Sequence, residues 1–267
     1  MRTHSILKRL LAAFLLLALV MAVYVLWARP YQLRWGATEE EAKRPMPGDK
    51  LAPDPTFLAT RAIKIAGTPE AIWPWLIQMG YGRAGYYGFD ILENLGSPLG
   101  IRSADRVLPE FQHFAVGDEV PISPFARMVF RAIEPNRYLI WAGMTADYPS
   151  SFTWALYPLD RSHTRLVSRI RWHYHWNSPS FLALELFTEF ADHVAIRKIL
   201  SGVKDRVEGR TETMIRQCAE FTILVASALG FLSTLAMLLL RPLTARRWLT
   251  GLIAGAIWLI VWYSPIL

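Results

Sequence analysis

Cysteine is almost missing from this chain: Cys218 is the single one among 267 residues. That count excludes a disulfide scaffold and a Cys-rich zinc module. Charge is missing too, but in patches. Residues 10–28, 221–240 and 248–267 contain no Asp, Glu, Lys or Arg, and each run reaches the roughly 18 apolar residues that a bilayer-crossing helix needs. G-x-S-x-G, H-E-x-x-H and the G-K-[ST] ending of a P-loop are absent, so nucleophilic hydrolysis, zinc-protease chemistry and P-loop phosphate binding have no motif to stand on. What is present in excess is apolar and aromatic: 53% hydrophobic residues and 11 Trp, too apolar for a disordered tail.

The uncharged runs predict three membrane spans, a first anchor over 1–30 and a two-helix hairpin over 218–267. A cleaved leader would end at small residues, whereas Trp27, Arg29 and Pro30 follow the first run. The net charge of +7 comes from 29 Lys and Arg against 22 Asp and Glu. Several of the cations flank the spans, and no nucleic-acid-binding motif accompanies them, so no nucleic-acid partner is expected. Arg241, Arg246 and Arg247 in the hairpin loop, with Arg2, Lys8 and Arg9 at the other end, place both on the inside of a multi-pass plasma (inner) membrane protein. The long insert is then expected outside.

Within the insert, 31–56 is rich in Pro, Gly and acid and reads as a linker. A strand over 60–65 precedes a helix starting at Thr68 and Pro69, with Ile72, Trp73, Leu76 and Ile77 on one face. Gly80, Gly82 and Gly85 match a G-x-G-x-x-G spacing, but they follow a helix rather than a strand, and a dinucleotide cradle is rejected. A short helix over 89–95 follows. Strands are expected over 128–133, 138–143, 152–157 and 166–176. The last alternates Leu166, Ser168, Ile170, Trp172, Tyr174 and Trp176 against Val167, Arg169, Arg171, His173 and His175, an apolar face and a basic one. The basic face reads as a solvated or lipid-facing outer strip. His173 and His175 share it with two arginines and no acid, so no metal site is expected. His113 and His193 have no partner spacing. A long helix then begins at Ser178 and Pro179 with an apolar stripe of Phe187, Phe190, Ala191 and Val194. The fold class is α+β, a long C-terminal helix laid across a curved antiparallel sheet, with the folded domain over 57–210.

LRWGAT at 33–38, PEAIWPWLIQMGYGRAGYYGFDILENL at 69–95 and FAVGDEV at 114–120 resemble the SRPBCC superfamily, the START and polyketide cyclase/dehydrase-like helix-grip proteins. The resemblance implies a deep apolar cavity between sheet and C-terminal helix for a lipid, isoprenoid or polyketide-like ligand, and it carries no catalytic set over to this chain. Trp75, Tyr87, Trp141, Trp154, Trp172, Phe187 and Phe190 are the expected pocket walls, since they fall on apolar faces or in the aromatic loop. If the chain is instead a cyclase or dehydratase, Arg83, Asp90 and Glu93 are the candidate catalytic residues, with the two acids on one helix face and Arg83 folding back to them. A protein-interaction module at the membrane is the third reading. No cofactor is expected.

Overall fold

Six strands realise the period-two alternation: β1 (Phe57–Ile65), β2 (Glu119–Pro121), β3 (Arg127–Glu134), β4 (Tyr138–Ala142), β5 (Ser150–Pro158) and β6 (Thr164–Trp172). All are antiparallel, in the order β1-β6-β5-β4-β3-β2. β2 is not legible as a strand beforehand because three residues are too few for alternation to show; its ladder with β3 makes it one. The helices are α1 (Arg29–Leu33), α2 (Glu39–Lys43), α3 (Pro69–Ile77), α4 (Asp90–Glu93), α5 (Phe181–Val207), α6 (Met214–Leu240) and α7 (Ala245–Tyr263). This computed structural model describes residues 11, 14–15, 18–93, 102–143, 149–173, 181–210, 212–240 and 245–263. Tyr174, His175 and Trp176 lie outside them. The chain divides into two units, Leu33–Glu212 and a helical unit of Met1–Gln32 with Thr213–Leu267.

In the Leu33–Glu212 unit, register decides which side chains share a face. Arg61 stands opposite Ser168, Ser168 opposite Trp154, and Trp154 opposite Leu139. Leu156 and Leu166, two residues along, continue this face toward one end, and Phe152, Ile170 and Trp172 continue it toward the other. α5 runs along it beside β1, from the Arg61–Asp192 ion pair to the neighbourhood of Gly67, where Val207 packs. Gly202 lets α5 approach the aromatic loop: a Cβ there would sit 1.9 Å from the Tyr87 carbonyl oxygen.

The opposite face carries Ala62, Val167, Arg169 and Arg171, and the structure corrects its reading as a solvated or lipid-facing strip. Arg169 is only 3% exposed. Its guanidinium donates to Asp49 Oδ2, Thr60 Oγ1 and the backbone oxygens of Glu41, Ala42 and Arg44. Arg165 pairs with Glu41 at 2.7 Å, Arg171 donates to the Ala52 oxygen, and Thr153 donates to the Pro47 oxygen. The Pro- and Gly-rich stretch therefore packs across the back of the sheet, with Met46 in a cluster with Ala62, Ala155 and Val167. The physical reason is acceptor supply. A guanidinium has five donors and no acceptor, and a chain without regular structure has backbone oxygens to spare. A capping box at the start of α2, where Thr38 and Glu41 bond reciprocally, fixes the turn that aims Glu41 at Arg165.

In the helical unit, α6 and α7 pack together through a Phe231–Trp258 stack at 5.0 Å and a bond from Trp262 Nε1 to Ser227 Oγ. Ile253, Ile257 and Ile260 form an exposed stripe on α7. Among the described residues one helix, Met214–Thr234, is long and apolar enough to cross a membrane, and Ile253–Trp262 is a shorter apolar run. The expected first and third spans both include residues outside the described set. Cys218 is exposed on α6.

Candidate functional site

Burial along the helix-facing side of the two central strands is graded. At one end Leu156 and Leu166 are 4% and 0% exposed, in the middle Trp154 and Ser168 are 1% and 3%, and at the other end Phe152 and Ile170 are only half-buried. Trp172, beyond them, is 37% exposed. Central strands normally bury their helix-facing residues throughout, so among the described residues this gradient marks a grip that is shut at the Leu166 end and open at the Trp172 end.

At the inner limit of the open end sits the Arg61–Asp192 pair, 2.5 Å apart, with Arg61 1% exposed. Burial pushes the Asp192 carboxyl above the ordinary carboxylate range, against the pull of the guanidinium. Glu189, one turn earlier on α5, is fully buried. The open end is therefore amphipathic: aromatic and aliphatic at its rim, charged and hydrogen-bonding within.

Of the expected pocket walls, Trp141 and Trp154 do meet, with ring centroids 5.8 Å apart, and Phe130, Phe152 and Tyr86 join them edge-on or tilted. Both indoles are packed to 2% exposure or less, and their N–H groups find no acceptor among the described residues. Trp75 and Tyr87 form a second T-shaped pair at 5.8 Å, locked by bonds from Tyr87 Oη to the Trp75 oxygen and from Gln78 Nε2 to Tyr87 Oη. These four are packed interior. Trp172 and the half-buried Phe190 lie toward the open end, while Phe187 turns out of the domain at 66% exposure. The apolar stripe of α5 does not face the sheet in its first half, because the Arg61–Asp192 pair sets the rotation of the helix and brings the acids inward.

Arg83 does not fold back to the two acids. Its Nη2 donates to the Ile77 oxygen at 2.5 Å and its guanidinium lies 3.8 Å from the Phe114 ring centroid, pinning the glycine-rich loop. Burial lowers its pKa to about 10, still a cation. Asp90 accepts bonds from Ser103 N and Oγ and so anchors the segment that follows the loop. Glu93 is different. Its carboxyl oxygens are buried against Gly88, near Ile199, without an aligned hydrogen bond among the described residues. Burial and then the Asp90 charge raise its pKa to about 8, with the Gly88 and Tyr86 backbone and Arg206 opposing part of the rise. Glu93 and Asp90 are close, as their spacing implies, and Glu93 is held as a neutral acid at pH 7.

A concavity of about 420 Å³ opens between α3, the 112–118 loop and the end of β3, with Trp73, Ile77, Phe114 and Ile133 as apolar walls and Gln112, His113 and Asp118 as polar ones. His113 lacked any sequence signal because its neighbours come from three separate elements. His173 Nδ1 lies 3.1 Å from the Asp54 oxygen. Among the described residues no group of three or more His, Cys, Asp or Glu could hold a metal ion.

No protein-family model matches the chain, and no curated protein matches it. Solved structures with a similar chain path include a START superfamily protein from Mycobacterium smegmatis, 11% identical over 57% of this chain and 97% of that one, TM-score 0.34. Another is the Zhui aromatase/cyclase from Streptomyces sp. R1128, 12% identical over 57% and 93%, TM-score 0.33. A polyketide cyclase-like protein from Corynebacterium glutamicum is 14% identical over 57% and 91%, TM-score 0.30. Similarities this weak say nothing about what the site does, which has to come from its own geometry.

Proposed function

We propose that the Leu33–Glu212 unit binds an amphipathic small molecule, of lipid, isoprenoid or polyketide-like character, in the open end of the grip. The observation that carries this is the gradient of burial on the two central strands, which leaves Phe152 and Ile170 half-buried and Trp172 37% exposed on the helix-facing side, where Trp154, Leu156, Leu166 and Ser168 are buried. Apolar parts of the ligand lie on Phe152, Ile170 and Trp172, and its polar end reaches toward Arg61 and Asp192. Burial of apolar surface supplies the affinity, at about 25 cal/mol per Å² before ordering costs. The chain is held at a membrane by α6, and Arg241 together with Arg246 and Arg247 in the first turn of α7 faces the inside, leaving the grip outside.

The test is small-molecule mass spectrometry on the full chain purified in detergent, wild type against Ile170→Trp, which fills the open end without burying a charge. The expected result is a copurifying amphipathic molecule whose occupancy falls at least tenfold in the variant at unchanged melting temperature. Wild type that carries no such molecule and takes up none from a lipid extract would overturn the reading. For the topology, Arg161→Cys in a Cys218→Ala background should react with an impermeant thiol reagent in intact cells; reaction only after lysis would reverse the sidedness.

A cyclase or dehydratase would have Glu93 as its proton donor, since Asp90 and Arg83 are committed to Ser103 and the Ile77 oxygen. The Glu93 carboxyl is buried near Ile199, a residue of the second half of α5, and not at the open end. Binding is therefore the reading the geometry favours.

A further inference from the structure

The loop over 112–118 is tied down on both sides of the concavity it borders. Gln112 Nε2 donates to the Pro74 oxygen at 3.3 Å and to Gln78 Oε1 at 3.0 Å, which holds the loop to α3 and to the residue just after it. On the other side the Gly117 N–H donates to the Phe130 oxygen and the Phe130 N–H to the Asp118 oxygen, which holds it to β3. Asp118 also closes a turn inside the loop: its N–H donates to the Ala115 oxygen, and its Oδ2 accepts from the Ala115 N–H at 2.8 Å. Phe114 packs on the Phe130 ring at 5.3 Å and carries the Arg83 guanidinium 3.8 Å from its centroid. The walls are thus held in place before anything enters, so a ligand has little ordering to impose on them.

The lining is apolar, with formal charge of one sign. On α3, Ile72 and Leu76 are fully buried and Trp75 pairs with Tyr87, which leaves Trp73 half-buried at the wall of the concavity, with Ile133 at the end of β3 as another wall. Among the lining residues the one carboxylate is Asp118, and no Lys or Arg joins it. Glu119 and Glu134 nearby in the chain pair with Arg127 and Arg137, whereas Asp118 has no ion-pair partner among the described residues. Arg83 lies behind the wall rather than on it, bonded to the Ile77 oxygen and covered by Phe114. Because Coulomb energy falls with distance, a carboxylate on the lining outweighs a guanidinium one layer back.

We infer that this concavity binds a small organic amine in its ammonium form, with its apolar body against Trp73, Ile77 and Ile133 and its ammonium group on Asp118. An aromatic face beside a carboxylate is a pair of groups suited to an ammonium ion, and the ring nitrogen of His113 can accept a further hydrogen bond from it when neutral. A volume of about 420 Å³ lies in the lower part of the roughly 300–1,000 Å³ span of small-molecule sites, which suits a one-ring molecule. The inference goes beyond the binding proposed for the grip and does not depend on it, since α3, the loop and the end of β3 supply this site.

The test is a titration of the full chain, in a non-ionic detergent and labelled with 5-fluorotryptophan, with three molecules of similar shape: phenethylamine, 2-phenylethanol and phenylacetate. Fluorine NMR reads the Trp73 resonance, identified by its loss in Trp73→Phe. It should shift with phenethylamine at a concentration several-fold lower than with 2-phenylethanol and at least tenfold lower than with phenylacetate. Asp118→Asn keeps an oxygen for the Ala115 N–H, and so the turn, and should weaken the amine about tenfold while leaving the alcohol unchanged. Ile170→Trp, which fills the open end of the grip, should leave the amine titration as it is. A Trp73 resonance that moves with none of the three would overturn the inference. So would equal affinity for all three, an amine indifferent to Asp118→Asn, or a titration lost in Ile170→Trp, which would place the amine in the grip.

Discussion

From Ile196 to Val203, α5 buries Ile196, Ile199, Leu200 and Val203; from Leu184 to Asp192 it buries Glu189, half-buries Asp192 and exposes Leu184 and Phe187. One helix thus closes the grip at one end with apolar packing and leaves it open at the other around an ion pair. Each half also meets a buried acid. Asp192 has Arg61 against it, whereas Glu93, near Ile199, pairs with no cation among the described residues and keeps its proton. The lesson is that the closed end contributes stability through area and the open end trades area for a polar, accessible interior.

The sharpest way to break this comparison is at the ion pair. Arg61→Met leaves Asp192 buried without its partner and should cost about 3–5 kcal/mol in denaturant unfolding of the full chain, whereas Arg61→Met with Asp192→Leu should recover most of it. If the single change costs under about 1 kcal/mol, the pair does not set the rotation of α5. Next, Leu166→Ala at the closed end should cost about 3 kcal/mol through a cavity that cannot collapse, and Ile170→Ala at the open end about 1 kcal/mol or less. Equal losses at the two positions would mean that the grip is shut throughout.

Glu93 gives a pH signature confined to the closed half. Its folded pKa of about 8 lies above the ordinary 4.5, so the folded state retains a proton that the unfolded chain has released between these values. Its contribution is fully present below about pH 4.5 and is lost as the pH rises through 8. Over that window stability should fall by up to about 5 kcal/mol in wild type, at about 1.4 kcal/mol for each pH unit between the two values, and the decline should flatten in Glu93→Gln. Parallel curves for the two proteins would mean that Glu93 ionises normally. The smallest effect is expected outside: Leu184→Ser with Phe187→Ser should change unfolding free energy by about 0.5 kcal/mol or less. A loss comparable to that of Leu166→Ala would show that these side chains are packed after all.

Much of the sheet was legible because alternation is a local property: β3, β4 and β5 fall within two residues of their expected bounds, and the two faces of β6 separate as read. The start of α3 at Pro69 was legible for the same kind of reason, a proline where the first helical N–H has no partner in any case. Asp90 and Glu93 could be placed on one short helix, but their unlike fates could not, since one depends on Ser103 and the other on Gly88 and α5.

The chain by itself determined the strand pattern, the helix starts and the apolar runs, all of which are set within a few residues of sequence. Tertiary structure alone decided three things. It brought Arg61 to Asp192 across a separation of 131 positions and so turned the apolar stripe of α5 outward. It gave the basic face of β6 its acceptors in the Pro-rich stretch. It packed Trp141 and Trp154 into the interior while leaving Phe152 and Ile170 half-buried and Trp172 37% exposed. In each case the deciding interaction is between residues far apart in the chain, where hydrogen-bond and charge satisfaction outweigh the local preference that a sequence pattern records.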